Sequence, residues 1–192
     1  MTYILIAINI AVFIMQIIMG GSQSIPKLIK MGAKVNELIS AGQYWRLFTP
    51  MFLHIGIMHI ALNMYALKNT GPFLEKMFGR VKFLIIYLFS GITGNIFSYL
   101  FSPSISAGAS TSIFGVFGAI VMCGVFYRKN NQIRAVGWNV FKLVIFNLGL
   151  NIIQPGVDMF GHTGGFLGGV VMSTILLTLT KNAIPIGSSE QI

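Results

Sequence analysis

Residues 108–129 read GASTSIFGVFGAIVMCGVFYRK, an uncharged apolar segment that runs from Ser110 to Tyr127 and stops at the paired cations Arg128 and Lys129. A serine flanked by small residues where a helix starts, with a histidine able to reach it, is the minimum equipment for nucleophilic catalysis. The candidate histidine is His162, which follows Gly161 one apolar segment further along the chain. Whether the two meet depends first on the kind of protein that holds them.

With 55% hydrophobic and 9% charged residues and a mean hydropathy of +0.79, the chain has too little polar surface to cover a soluble globule. It reads as an all-α polytopic membrane protein. Its single cysteine, Cys123, lies inside an apolar stretch, which excludes an intrachain disulfide and says nothing of the redox compartment. A net charge of +9 on a soluble protein would suggest nucleic acid, but these cations fall between apolar segments rather than on one face. They read as topology signals, with no nucleic-acid partner.

A span needs about 20 mostly apolar residues, and six stretches qualify: 2–20, 53–74, 81–101, 110–127, 138–155 and 161–180. The first lacks a charged leader and a small-residue cleavage site, so it reads as a retained helix rather than a signal peptide. The spans make one domain over 1–181, and the tail 182–192, with Pro185 and Gly187-Ser188-Ser189, reads as disordered. An even number of spans puts both termini on one side. If that side is the inside, Lys68, Lys76, Arg80, Lys82, Arg128, Lys129, Arg134, Lys142 and Lys181 face inward, nine cations against the four of the outer set, Lys27, Lys30, Lys34 and Arg46. The inward orientation of the termini therefore wins, with Lys68 snorkelling to the inner interface. Trp138, at the inner end of the fifth span, reads as an interfacial anchor. The long first connection, 21–52, carries a basic amphipathic stretch and Tyr44-Trp45-Arg46, an aromatic beside a cation, and is expected on or in the outer leaflet.

Depth follows from helix rise. Ser110 is 18 residues before Arg128, His162 is 19 before Lys181 and His59 is 17 before Lys76, which puts them about 27, 28 and 25 Å above their inner anchors at ~1.5 Å per residue. All three share one level near the outer face, where water is available. His59 and Asn63, four apart, share a helix face, whereas His54 and His59, five apart, are a poor helical chelate. His54, at the interface, reads as solvated. Ser110, Phe114 and Gly118 align on the fourth span, and His162, Gly165 and Gly169 on the sixth. Glycine stripes let membrane helices approach closely, which would bring His162 to Ser110 with the Phe114 ring beneath the imidazole. Small-residue stripes more often serve packing, and Ser112 could pack as well as Ser110; an intramembrane histidine is a functional hypothesis by default.

With these residues in place, the chain resembles the rhomboid proteases, the intramembrane serine proteases, over nearly its whole length. Gly108-Ala109-Ser110-Thr111 resembles the G-x-S-G nucleophile motif, with Thr111 departing from the usual Gly. Gly161-His162 with Gly165 and Gly169 resembles the sixth-helix element, and His54, His59 and Asn63 match H-x-x-x-x-H-x-x-x-N. Trp45-Arg46 matches the Trp-Arg pair of the first loop, and Gly71, Glu75 and Gly79 match G-x-x-x-E-x-x-x-G.

The resemblance implies a bacterial-type six-transmembrane-helix bundle in a bacterial cell membrane, with the termini cytoplasmic and the site opening outward. It implies Ser110 as nucleophile and His162 as base, with His59, Asn63 and the Ser110 backbone N–H holding the oxyanion and no metal or organic cofactor. Gly108, Phe114, Gly165, Gly169, His54, Trp45, Arg46 and Glu75 would be supporting residues. Asp158, in the fifth connection, would have a loop or capping role. The implied partners are membrane lipids and single-pass transmembrane substrates, cut after a small residue near the outer end. The fifth span and the 156–160 connection would form gate and cap.

Three other readings compete. An inactive relative that binds or escorts membrane proteins predicts loss of the serine or histidine, and both are present. A small transporter using the histidines as a polar path would want carboxylates, and Glu75, near an inner end, is the sole acid in any span. A zinc metalloprotease lacks its H-E-x-x-H motif.

Overall fold

The structure, a computed structural model, describes residues 1–153 and 157–180; the tail 182–192 and part of the expected cap lie outside the described residues. Seven helices account for the fold among those residues: α1 (Thr2–Ile18), α2 (Ile25–Met31), α3 (Asn36–Ser40), α4 (Ile57–Phe101), α5 (Ser110–Phe126), α6 (Asn131–Ile153) and α7 (Met159–Thr180). Two 3-10 turns, Tyr44–Leu47 and Thr49–Phe52, complete the first connection, and among the described residues no strand forms beyond an isolated bridge between Lys34 and Ser106. Three helical stretches are long and apolar enough to cross a membrane, Ile57–Phe101, Asn131–Leu150 and Met159–Leu179, and α1 and α5 are shorter apolar helices.

Helix α4 is two arms joined at one residue. The 75–80 stretch, read from sequence as a connection, is helical up to Gly79, whose φ of 77° and ψ of 167° leave the helical region. A side chain is strained at that φ, so glycine allows the bend without a loop. The first arm is tied to α1. Thr2 donates its N–H and its hydroxyl to Glu75 Oε2, both at 2.8 Å, and Gly71 leaves room for the Thr2 side chain. The Gly71, Glu75, Gly79 triplet is therefore a docking and bending device at the end of the bundle away from Ser110.

Helix α1 shows why periodicity alone is a weak guide here. Its buried face is Thr2, Leu5, Asn9, Phe13 and Gln16, spaced by three and four residues, while Ile4, Ile14 and Ile18 point outward. A helix in lipid turns its few polar groups to the interior, because hydrocarbon offers them no partner.

Helix α5 is the centre. Every residue from Thr111 to Ile120 is buried, between α4 on one side and α7 on the other. A methyl group on Gly115 would overlap the Ser90 side chain of α4, and one on Gly169 of α7 would overlap the Gly115 carbonyl. Backbone thus meets backbone where α5 and α7 cross, as small residues permit in membrane helices. Helix α6 begins at Asn131 rather than near Trp138, because the Asn130 side chain accepts the N–H groups of Gln132 and Ile133 at 3.0 and 3.1 Å and starts the helix early.

The first connection differs most from its sequence reading. Arg46 is not an exposed anchor: it is 4% exposed, and its Nη1 donates to the carbonyls of Ile29 and Ala33, both at 2.8 Å, with Nε on Gln43 Oε1 at 2.7 Å. The half-exposed Trp45 ring lies 4.4 Å from the guanidinium carbon. Lys34 is likewise buried, with Nζ donating to the carbonyls of Ser102 and Ser104 at 2.7 and 3.0 Å. Burial pushes the Lys34 ammonium below its ordinary pKa, and Asp158 and Glu37 pull it back up. The physical reason is shared. The carbonyls at and just beyond the C-terminal ends of α2 and α4 point into the connection, and a cation with several N–H groups satisfies more than one. Asn36 on the carbonyls of Tyr99 and Ser102, and Asn95 on that of Leu47, fasten the loop to the second arm of α4.

Candidate active site

Ser110 is the first residue of α5, and the turn before it is built to present it. Gly108 has a φ of 152° and donates its N–H to Pro50 O at 2.9 Å, and the Ala109 N–H reaches His54 Nε2 at 3.4 Å. A side chain on Gly108 would lie 2.9 Å from His59 Nε2 and 3.4 Å from Ser110 Oγ, so glycine keeps open the space between those two groups. The first intrahelical bond runs from the Ile113 N–H to Ala109 O. The N–H groups of Ser110, Thr111 and Ser112 have no acceptor among the described residues, which leaves a cluster of backbone donors beside the hydroxyl.

His162 stands in the first turn of α7. Its Nε2 lies 2.9 Å from Ser110 Oγ, and its ring stacks on Phe114 with centroids 4.2 Å apart and planes 8° from parallel. The imidazole is 8% exposed and Ser110 is half-buried. Asp158 fixes the start of that helix. Its Oδ1 accepts the Gly161 N–H at 2.9 Å, its backbone oxygen accepts the His162 N–H at 3.0 Å, and Oδ2 takes the Ser98 hydroxyl from α4. Asp158 is a helix cap that ties α7 to α4 one turn before the imidazole.

The groups read as oxyanion donors are arranged unequally. His59 Nδ1 accepts the Ile55 N–H at 3.3 Å, an assignment that puts the ring proton on Nε2, the nitrogen facing Gly108. Asn63 is buried with its Nδ2 donating to His59 O at 2.8 Å, turned back along its own helix. An amide carries two N–H groups, so that bond uses one of them. His54 is not solvated at the interface: it is 0% exposed and precedes α4, and its ring centroid is 5.3 Å from that of His59. Gln16 of α1 clamps its backbone, donating to His54 O and accepting the His54 N–H, both at 3.0 Å. Sequence reasoning passed over Gln16; the signal was a pair of amides, Asn9 and Gln16, in an otherwise apolar span.

The neighbours of Ser110 point elsewhere. Ser112 is fully buried toward α4, its hydroxyl 3.8 Å from Met51 Sδ. The Thr111 side chain also faces α4, where a methyl group on Gly94 would come within 2.7 Å of Thr111 Cβ. The bulk that departs from the motif is thus accommodated by a glycine across the interface. Gly165 and Gly169 of α7 face the backbones of Thr111 and Gly115. Trp45, Arg46 and Glu75 lie in the structural roles already described, in the first connection and at the α1 junction.

A bundle of apolar helices thus holds a serine hydroxyl and an imidazole within hydrogen-bond reach of each other. The Rhomboid domain family model matches residues 41–179, and the chain belongs to the rhomboid family of integral membrane proteins. It is 45% identical over 175 residues to the rhomboid protease GluP of Bacillus subtilis (strain 168), covering 91% of this chain and 34% of that protein. It is 38% identical to RHOMBOID-like protein 7 of Arabidopsis thaliana, covering 83% of this chain and 51% of the relative. It is 36% identical to Rhomboid-like protease 3 of Toxoplasma gondii, covering 76% and 56%. The chain thus spans between about a third and a little over half of the length of these relatives.

Proposed function

We propose that this chain is an intramembrane serine endopeptidase working through a Ser110–His162 dyad. The observation that carries the reading is the 2.9 Å contact between Ser110 Oγ and His162 Nε2, with the imidazole held flat on Phe114. Ser110 Oγ attacks the scissile carbonyl as its proton passes to His162 Nε2, and His162 then delivers that proton to the leaving amine. Water, activated by the same imidazole, hydrolyses the acyl-enzyme and restores the serine. The Ser110 N–H and the His59 Nε2–H face the developing oxyanion, and Asn63 joins them through its second amide N–H. One such donor is worth about 10²–10³ in rate, so the free backbone donors at the start of α5 matter as much as the dyad's alignment.

The six spans of this reading are α1, the two arms of α4, α5, α6 and α7. Both termini lie inside, on the nine-to-four excess of cations on that side. The depth count puts Ser110, His59 and His162 near the outer face of a bacterial cell membrane. Helix α6 leans on α5 at Gly124 and Gly137 and turns most of its surface outward, which suits a lateral gate for a substrate helix. Substrates are single-pass proteins cut after a small residue where their helix unravels toward water.

The test is cleavage of a single-pass reporter co-reconstituted with the purified chain in liposomes, with the product ends mapped by mass spectrometry. The expected result is one cut near the reporter's outer end. No product, or a cut at the inner end, overturns the reading.

A further inference from the structure

Helices α5 and α6 cross at glycine. A side chain on Gly137 would lie 2.8 Å from the Gly124 Cα, and one on Gly124 would lie 3.0 Å from the Gly137 Cα. Beside this crossing the helices enclose an outward-facing groove of about 300 Å³. One wall is Val121 and Val125 of α5; the other is Trp138 and Phe141 of α6, whose rings stack with centroids 5.5 Å apart. Arg134, one turn before Trp138, closes one end. Backbone contact at the floor fixes the groove's width, so it is preformed.

The charge at the Arg134 end is unbalanced. Arg128 and Lys129 occupy the tight turn that joins α5 to α6, and both are exposed, as is Arg134. Among the described residues no carboxylate pairs with any of the three, since the ion pairs all involve Glu75. From Arg134 to Phe141 the groove rises seven residues, about 10 Å of helix, and changes from cationic to wholly apolar along that rise. An interfacial tryptophan marks the boundary.

We propose that this groove is a binding site for an anionic phospholipid, with an acyl chain between Val125 and Trp138 and the phosphate at Arg134, the cation among its lining residues. A phospholipid has this polarity within one molecule, and basic pockets between helices at one membrane face select anionic headgroups. A second copy of the chain is a poorer occupant. It would need to bring carboxylates, and of its four acidic residues Glu75 and Asp158 are engaged within the fold. The site is separate from Ser110 and does not depend on the protease reading.

Trp138 is 60% exposed, lines the groove, and is one of two tryptophans, so it reports occupancy. In the Trp45→Phe variant of the full chain in nanodiscs, Trp138 fluorescence is titrated with brominated phosphatidylglycerol or brominated phosphatidylcholine. The expected result is half-quenching at about fivefold lower mole fraction of the anionic lipid, the effect of one basic residue at the headgroup. Arg134→Gln abolishes that preference and Arg134→Lys keeps most of it. Should Trp45→Phe fail to fold, native mass spectrometry of the chain with both tryptophans reads the same difference, as phosphatidylglycerol retained on delipidation and lost in Arg134→Gln. Equal quenching or retention of the two lipids overturns the site, and so does a preference that survives Arg134→Gln.

Discussion

Ser110→Ala lowers cleavage of a transmembrane reporter by about 10⁴-fold or more, and His162→Ala does the same. Neither residue has an intrinsic substitute nearby. Ser112 is sealed against Met51, and His59 faces the serine across Gly108 in the position of a donor rather than a base. Because the two side chains act as one unit, the double variant is no slower than either single one. The stability effects separate them. Ser110→Ala removes a hydroxyl whose side-chain bond is to His162 and shifts thermal unfolding little, whereas His162→Ala also removes the ring stacked on Phe114 and lowers it measurably. Turnover within tenfold of wild type in Ser110→Ala places the nucleophile elsewhere.

Gly169→Val is expected to slow turnover by about 10²-fold from two helical turns away. A Cβ at that position overlaps the Gly115 carbonyl, a backbone atom that cannot rotate aside, so α7 must shift away from α5. Overpacking of this kind costs about 1–3 kcal/mol. His162 lies seven residues up the same helix face, and a displacement of about 1 Å at the reacting groups costs about 10² in rate. The measurement is turnover together with thermal unfolding in detergent. Val171→Leu, on the outward face of α7, is the control and leaves both unchanged. Full activity in a folded Gly169→Val would show that the α5–α7 approach does not set the Ser110–His162 geometry.

What was legible in the sequence was what depends on spacing along one helix. Ser110 and His162 fall at the same height above their basic anchors, and glycines lie on the faces that must close. What was not legible depends on which backbone groups the fold leaves without partners. Arg46 and Lys34 looked like charges for the lipid surface, yet both sit inside the first connection on carbonyls at and just beyond the ends of α2 and α4. His54 looked solvated because it falls at the water interface; in the structure it lies just before α4, fully buried, with Gln16 clamping its backbone in the interior. Thr111 departed from the motif, and its accommodation is written in Gly94, a residue 17 positions earlier that no local pattern connects to it. The single-residue bend at Gly79 was likewise hidden, because charges around it mimic a loop.

A nucleophilic Ser110 activated by His162 reacts covalently with a serine-directed electrophile. The protein in liposomes is treated with a fluorophosphonate, in which serine attack on phosphorus expels fluoride, and the adduct is located by peptide mass spectrometry. The expected result is one adduct on Ser110, lost in His162→Ala while that variant remains folded. An adduct on Ser112, or labelling of Ser110 that persists without His162, would contradict it.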